Sequence, residues 1–283
     1  MKRPFRLGML AILASCAMLA GPATADFKAS RPEPRTEHWQ LRQAAIGEAL
    51  RTRTDLAAVK LVFVGDSITD FWLLAEDPWV KGQRLGRSVW NESFSGSKPD
   101  DLAFNIGISG DRTEHLLHRL LPAAQGGLGH LDAPSLNPDF FVLMIGINNS
   151  WDPEEPVVDS IFEGVRAVLD ALHARRPAAR IVLQSLLPTT EADRNAQVVL
   201  PVNDRLERLA RTAPYARYTA WLDLYPAFVD TKGMAVPALY ADDVHPNESG
   251  YRVWRDRLVP FLQSLRSRQP GSSGPLRTPA RAP

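Results

Sequence analysis

The sequence predicts an α/β protein: a mostly parallel five-stranded sheet covered on both faces by helices. Three observations predict it. The apolar runs are short and unbroken, as in Leu61-Val62-Phe63-Val64 and Phe140 to Ile145, which is the pattern of strands buried on both faces. Longer stretches with helical spacing alternate with these runs along the chain. A polar cluster follows each of the first three runs, at the strand ends where open α/β sheets bind ligands.

Taken in order, the chain opens with an export signal. Lys2, Arg3 and Arg6 precede an apolar stretch from Leu7 to Ala20 that is too short to span a bilayer comfortably. Ala23-Thr24-Ala25 is a small-x-small cleavage site, so residues 1–25 read as a signal peptide and the mature chain starts at Asp26. An alternative reading takes Leu13-Ala14-Ser15-Cys16 as a lipoprotein box, with Cys16 the lipidated terminus. Cys16 is the only cysteine. Cleavage after Ala25 therefore excludes thiol catalysis, disulfides and cysteine metal sites. The 283 residues are 45% hydrophobic and 23% charged, enough for a sizeable core. Without the three basic residues of the leader, 30 basic face 32 acidic residues, a net charge of −2. That balance argues against a polyanion partner or an electrostatic membrane anchor.

Residues 26–59 read as a Pro-rich extended linker, Asp26 to Arg35, and a helix, Glu37 to Arg53. Trp39, Ala45, Ile46, Ala49 and Leu50 form one apolar side of that helix. Residues 60–266 read as the catalytic domain. Its first strand, Lys60 to Val64, ends at Gly65. A helix capped by Thr69 or Asp70 is expected next, running through Phe71 to Leu74. A Trp- and Gly-rich region follows, and Ser93 to Asp101 is a surface loop or lid. The second strand, Ala103 to Ile106, closes at Gly107. Asp111 and Glu114 read as the capping box of a helix buried through Leu116, Leu117, Leu120 and Leu121. After a Gly/Pro-rich connection come the central strand Phe140 to Ile145, a helix from Val157 to Arg175, and the strand Ile181 to Leu183. A helix from Ala196 to Arg211, bent near Pro201, precedes the fifth strand, Tyr218 to Leu222. Tyr251 to Leu265 is the last helix. Residues 267–283 are rich in Pro, Gly, Ser and Arg and read as a disordered tail.

Chemistry concentrates in four clusters. In Gly65-Asp66-Ser67, a serine at a strand-to-helix turn lies beside unpaired helix N–H groups, which suits a nucleophile whose product is an oxyanion. In Asp242-Asp243-Val244-His245, an aspartate three residues before a histidine can fold back to its ring nitrogen and fix its tautomer. Asp243, two before His245, has the poorer spacing. A serine hydroxyl needs such a base at neutral pH. The Asn148 amide and the backbone N–H groups of Ser67 and Gly107 are candidate oxyanion donors.

These four ordered blocks, Gly65 to Thr69, Asn105-Ile106-Gly107-Ile108-Ser109-Gly110, Gly146-Ile147-Asn148-Asn149 and Asp242 to Pro246, resemble the SGNH hydrolases, also called the GDSL esterase/lipase superfamily. The Gly-x-Asn-Asn stretch, and Gly107 to Asp111, are most similar to the platelet-activating-factor acetylhydrolase-like branch. The chain departs from the common pattern at Ile68, where many members have leucine, and at Asn149, where many have aspartate. The resemblance implies a flavodoxin-like three-layer α/β/α sandwich. It implies Ser67 as nucleophile, His245 as base and Asp242 as its orienting acid. Gly107, Asn148 and the Ser67 amide would form the oxyanion hole. It also implies a hydrolase of short-chain, acetyl-type esters on a small molecule, glycan or lipid, working without a cofactor, which the leader would send to the periplasm or outside the cell. Two alternatives remain open: an acyltransferase using the same site, and an envelope-binding module with a relict site.

Other candidates read as structural. His115 and His118 sit three apart on a helix with no third ligand at a convincing spacing, so a solvated face is preferred to a metal site. His130 with Asp132 reads as a loop pair, and His38 and His173 as surface positions. Trp72 and Trp151 read as core or wall residues, with Trp151 a candidate for the acyl or alcohol pocket. No phosphate loop, basic nucleic-acid stripe or dinucleotide fingerprint is present.

Overall fold

A computed structural model describes residues 26–35 and 39–268. The leader with Cys16, His38 and the tail beyond Arg268 lie outside the described residues. Helix α1 spans Gln40–Thr52. The core alternates from β1 (Leu61–Gly65) through α2 (Ser67–Asp70), α3 (Arg87–Ser93), β2 (Ala103–Asn105), α4 (Thr113–Leu120), β3 (Phe140–Met144), α5 (Val157–Arg175) and β4 (Arg180–Gln184). It continues through α6 (Ala192–Arg194), α7 (Leu200–Ala210) and β5 (Thr219–Leu222) to α8 (Glu248–Ser267). The sheet is parallel throughout, in the order β2-β1-β3-β4-β5, with Leu61 opposite Ala103 on one side and Phe140 on the other. This is the expected flavodoxin-like sandwich. Every residue of β1 and β3 is buried, which explains their unbroken apolar runs.

Strand order reverses at β1, so right-handed crossovers send the β1-to-β2 connection to one face and the later connections to the other. On the first face α3 packs with α8 over an aromatic cluster. The Phe63 ring meets Trp72, Trp90 and Phe94 at centroid distances of 6.0, 5.0 and 4.9 Å, and Trp72 meets Trp254 at 5.2 Å. On the second face α4, α5 and α7 lie side by side. No helix among the described residues is long and apolar enough to cross a membrane.

Several local expectations give way. Residues 26–35 form no spacer: Phe27 and Ala29 are buried. The Ala29 carbonyl accepts from Thr113 Oγ1 at 2.8 Å, and Glu154 accepts from the Lys28 and Ala29 N–H groups. The segment is a strap across α4 and α5. Helix α2 begins at Ser67 rather than beyond Thr69, because Asp66 is its cap and accepts from the Ile68 N–H at 3.0 Å. Asp111 does not cap α4, since its carboxylate is taken by two arginines; the helix starts after Arg112. The Trp- and Gly-rich region carries α3. The helix before Pro201 starts early, at Ala192, and widens to a π turn over Asn195–Val199. That turn makes room for a ring that would otherwise strike the preceding carbonyls, and it leaves Leu200 exposed. The last helix starts three residues early because Asn247 accepts from the Gly250 N–H.

Gly164 of α5 sits where a Cβ would lie 2.3 Å from Thr113 Oγ1 and 2.8 Å from the Ala29 carbonyl oxygen. Alanine is the better helix former by about 1 kcal/mol, but forcing α4 and the strap outward costs about 1–3 kcal/mol. Overpacking is expected to win. Gly164→Ala should lower the denaturant midpoint, and a raised midpoint would show that the strap gives way freely.

Candidate active site

Ser67 occupies the first turn of α2, immediately beyond β1. A Cβ on Gly65 would lie 2.2 Å from both the Met144 carbonyl oxygen and Thr69 Oγ1, so only glycine lets the chain turn this tightly. At the first helical position, the Ser67 N–H has no partner within the helix. The Ser67 Oγ lies 2.8 Å from His245 Nε2, and His245 Nδ1 lies 2.7 Å from Asp242 Oδ2. The expected trio is thus brought together across a sequence separation of 178.

The loop carrying Asp242 and His245 is held on three sides. Asp242 Oδ1 accepts from the N–H groups of Val244 and His245, at 2.9 and 2.7 Å. The Asp243 side chain turns away and accepts from the Thr190 hydroxyl, and its carbonyl accepts from the Thr190 N–H, so Asp242 is the aspartate that meets the ring. Tyr240 donates to the Pro188 carbonyl at 2.7 Å. Beyond the loop, Tyr251 of α8 donates to the Ile68 carbonyl at 2.8 Å and couples α8 to the serine helix. The Phe71 ring stacks on the His245 imidazole at 4.6 Å. Burial raises the Asp242 pKa, but the bonds from the His245 ring and the two backbone N–H groups outweigh it and hold the carboxyl at about 2.

Gly107 requires a correction. Its N–H donates to Asn105 Oδ1 at 2.8 Å and its carbonyl accepts from Arg42, so its amide is spent inside the fold. Its glycine identity serves packing, since a Cβ would meet the Asp70 N at 2.7 Å. The residue facing the cleft is Gly110, which lines it with Ser67, Asn148 and His245. Gly110 adopts φ +78°, and its N–H has no protein acceptor among the described residues. The sequence alone does not separate it from Gly107, since both glycines lie in the short connection between β2 and α4. Asn148 also lines the cleft. One hydrogen of its amide goes to the Asp111 carbonyl at 2.8 Å, leaving the second to face the cleft. Asn149 is structural: it accepts from the Thr113 N–H and donates to Glu114, tying the turn after β3 to α4.

Beneath this rim lie charges that the sequence reading missed. Arg119, only 2% exposed, donates to Asp111 Oδ2 at 2.7 Å, the Ile106 carbonyl at 2.7 Å and the Gly65 carbonyl at 3.3 Å. Arg35 of the strap donates to the Ser109 carbonyl and to Asp111 Oδ1. Asp70, one turn after Ser67, accepts the Ser109 N–H and hydroxyl through one oxygen and pairs with Arg42 through the other at 2.9 Å. The helix bearing the serine is therefore cross-tied to the loop bearing Gly110. His130 lies in the connection before β3, as expected, but is fully buried there. Its Nε2 must donate to Gln43 Oε1 at 2.6 Å, so its Nδ1 accepts from Arg119 at 3.2 Å. Burial and the Arg119 and Arg42 charges lower its pKa well below the usual range and keep it neutral. His115 accepts the Arg112 N–H through Nδ1, and His173 stacks on Tyr218 at 3.7 Å.

A hydroxyl, an imidazole and a carboxylate in file at the switch point of a parallel sheet, with free amides beside them, define the class: a carboxylic ester hydrolase on a three-layer fold. Comparison with known proteins narrows it. The chain belongs to the GDSL-like Lipase/Acylhydrolase family, whose model matches residues 63–253. It is 29% identical over 222 residues to platelet-activating factor acetylhydrolase IB subunit alpha1 of Homo sapiens, covering 78% of this chain and 83% of that one. It is 28% identical over 196 residues to the alpha2 subunit of Rattus norvegicus, covering 68% and 70%. Among solved structures, a GDSL-like lipase from Bacteroides thetaiotaomicron shares the fold with a TM-score of 0.57 at 20% identity, over 80% of this chain and 97% of that one. An acetyl xylan esterase does so with a TM-score of 0.52 at 20% identity, over 72% and 100%.

Asp66 yields a test by titration. Burial pushes its carboxyl up to about 7, although the Ile68 N–H and nearby His245 pull the other way, and its Oδ2 has no partner. A carboxyl whose folded pKa lies above its unfolded value of 3.8 stabilises the fold fully below 3.8 and loses that contribution as pH rises through about 7. Asp66→Asn keeps a cap oxygen and cannot ionise. Its Tm relative to the parent is therefore expected to rise between pH 5 and pH 8, by at least about 3 °C. A pH-independent difference would remove Asp66 from the account.

Proposed function

We propose that this chain is an exported serine ester hydrolase that cleaves short-chain carboxylic esters through an acyl-enzyme on Ser67. One observation carries the reading: the 2.8 Å contact of Ser67 Oγ with His245 Nε2, in line with Asp242. In this mechanism Ser67 attacks the ester carbonyl as His245 takes its proton through Nε2. Asp242 holds the Nδ1–H and stabilises the imidazolium that forms. The oxyanion rests on the N–H groups of Ser67 and Gly110 and the side-chain amide of Asn148. His245 then protonates the departing alcohol, and water, activated by the same imidazole, releases the acid. No cofactor enters the sequence of steps.

The size of the cleft supports a short acyl group: its volume is about 220 Å³, and Trp79, Ile147, Trp151 and Val244 wall it. The human relative, by its name an acetylhydrolase, supports the same choice. Export rests on the leader sequence, with its basic start, apolar stretch and Ala23-Thr24-Ala25 site.

Turnover of p-nitrophenyl acetate is expected to exceed that of octanoate and longer esters. Ser67→Ala should cut it by about 10³-fold or more, and a fluorophosphonate should label Ser67 in the parent alone. Wild-type turnover by Ser67→Ala would end the proposal. Asn148→Ala is expected to lose about 10²–10³ in kcat. Asp243→Asn should stay near the parent rate where Asp242→Asn collapses, and the reverse order would exchange their roles.

A further inference from the structure

Five large apolar side chains stand exposed among the described residues, and two of them, Trp79 at 70% and Trp151 at 43%, line the cleft over Ser67. Single exposed apolar residues are ordinary on a protein surface; two indoles at one catalytic opening are not. Neither ring is loose. The Trp79 ring lies 5.7 Å from Phe71, the residue that stacks on His245. Its loop is pinned by buried Asp77, which accepts the N–H groups of Trp79 and Val80 at 2.7 and 2.9 Å. The Trp151 ring is covered by the Arg194 guanidinium at 3.5 Å. Arg194 is itself anchored to the Ser150 carbonyl and hydroxyl at 2.9 and 3.1 Å, and paired with Glu191. Such rings bind without first losing rotamer freedom.

The surroundings select among ligands that favour an indole. The turn that presents Asn148 and Trp151 to the cleft presents Asn149 and Asp152 to an adjoining depression of about 270 Å³. That depression carries Lys28, Arg112, Asp152 and Glu154. A fatty chain leaving the cleft in this direction would meet charge. A sugar has both surfaces required: an apolar C–H face for an indole and hydroxyls for charged acceptors and donors. We propose that Trp79 and Trp151 are the platform for the sugar ring of an O-acylated carbohydrate, whose further hydroxyls reach the charged depression. The proposal rests on Ser67 as the nucleophile and names the alcohol that leaves.

Binding and turnover test it separately. Ser67→Ala protein, which retains the platform, is titrated calorimetrically with O-acetylated xylo-oligosaccharides, alone and combined with Trp79→Ala or Trp151→Ala. In the chain with its serine, the single tryptophan variants are assayed on the same sugars and on ethyl acetate, which is too small to span the platform. Each alanine variant is expected to weaken sugar binding roughly tenfold. The loss in turnover should fall on KM and be several-fold larger on the sugar than on ethyl acetate, which meets the indoles through its acyl group alone, with Trp→Phe largely restoring the sugar. Undiminished sugar binding in both alanine variants overturns the proposal. So does absence of sugar binding in Ser67→Ala protein, or binding to phosphatidylcholine vesicles in its place. Failure of the parent on ethyl acetate and every other ester refutes the nucleophile instead, and the calorimetry still reads the platform.

Discussion

One buried guanidinium fastens the catalytic rim. Arg119 reaches from α4 to the last carbonyl of β1, to the carbonyl just past β2 and to the Asp111 carboxylate, and it is almost wholly removed from water. A charge in that position is tolerable only because Asp111 opposes it at 2.6 Å and carbonyls absorb its remaining donors. Taking away one member of such a pair typically costs about 3–5 kcal/mol, because the other is left charged and unpaired. Here the cost would fall on the loop that presents Gly110. The neighbouring histidine, His130, is kept neutral by its burial and by the same charge, so it joins the network as an acceptor without adding another cation.

Much of the fold was legible because its signals are local. Helix α5 runs from Val157 to Arg175 as expected, bounded by Pro156 before it and by the short turn into Pro177 after it. The central strands announced themselves by apolar runs that only a doubly covered sheet requires. The trio Ser67, Asp242 and His245 was legible for a related reason: each sits beside a strand end or a helix start, where topology fixes direction. Gly107 misled because two glycines share one short loop, and spacing alone does not say which amide is consumed by packing. That answer depends on the Asn105 side chain, a contact with no pattern in sequence. Arg119, Arg42 and Arg35 were invisible for the same reason: an arginine on a helix or in a Pro-rich segment reads as solvated until its partner is known. Prolines and charges dominate the strap and give it the composition of a linker, yet two buried apolar anchors, Phe27 and Ala29, seat it on the helices.

Three carboxylates near one serine show how environment divides labour among identical groups. Asp242 collects hydrogen bonds from an imidazole and two amides and remains ionised across any ordinary pH. Asp70 faces Arg42 and the Ser109 hydroxyl and acts as a brace between helix and loop. Asp66, enclosed and with one oxygen unpartnered, resists ionisation. The first serves the imidazole, the second holds Ser109 beside Gly110, and the third caps the turn into α2.

The strap and the last loop set which parts of the chain the centre needs in order to assemble. Its Arg35 grips the loop before Asp111, while the imidazole that reaches Ser67 is contributed by a segment 178 residues further along than the serine. Both early and late portions of the polypeptide must therefore be present before the centre closes. A chain that ends before residue 245 carries the Ser67 hydroxyl without the imidazole that lies 2.8 Å from it, and one that lacks the strap leaves Ser109 and Asp111 without Arg35.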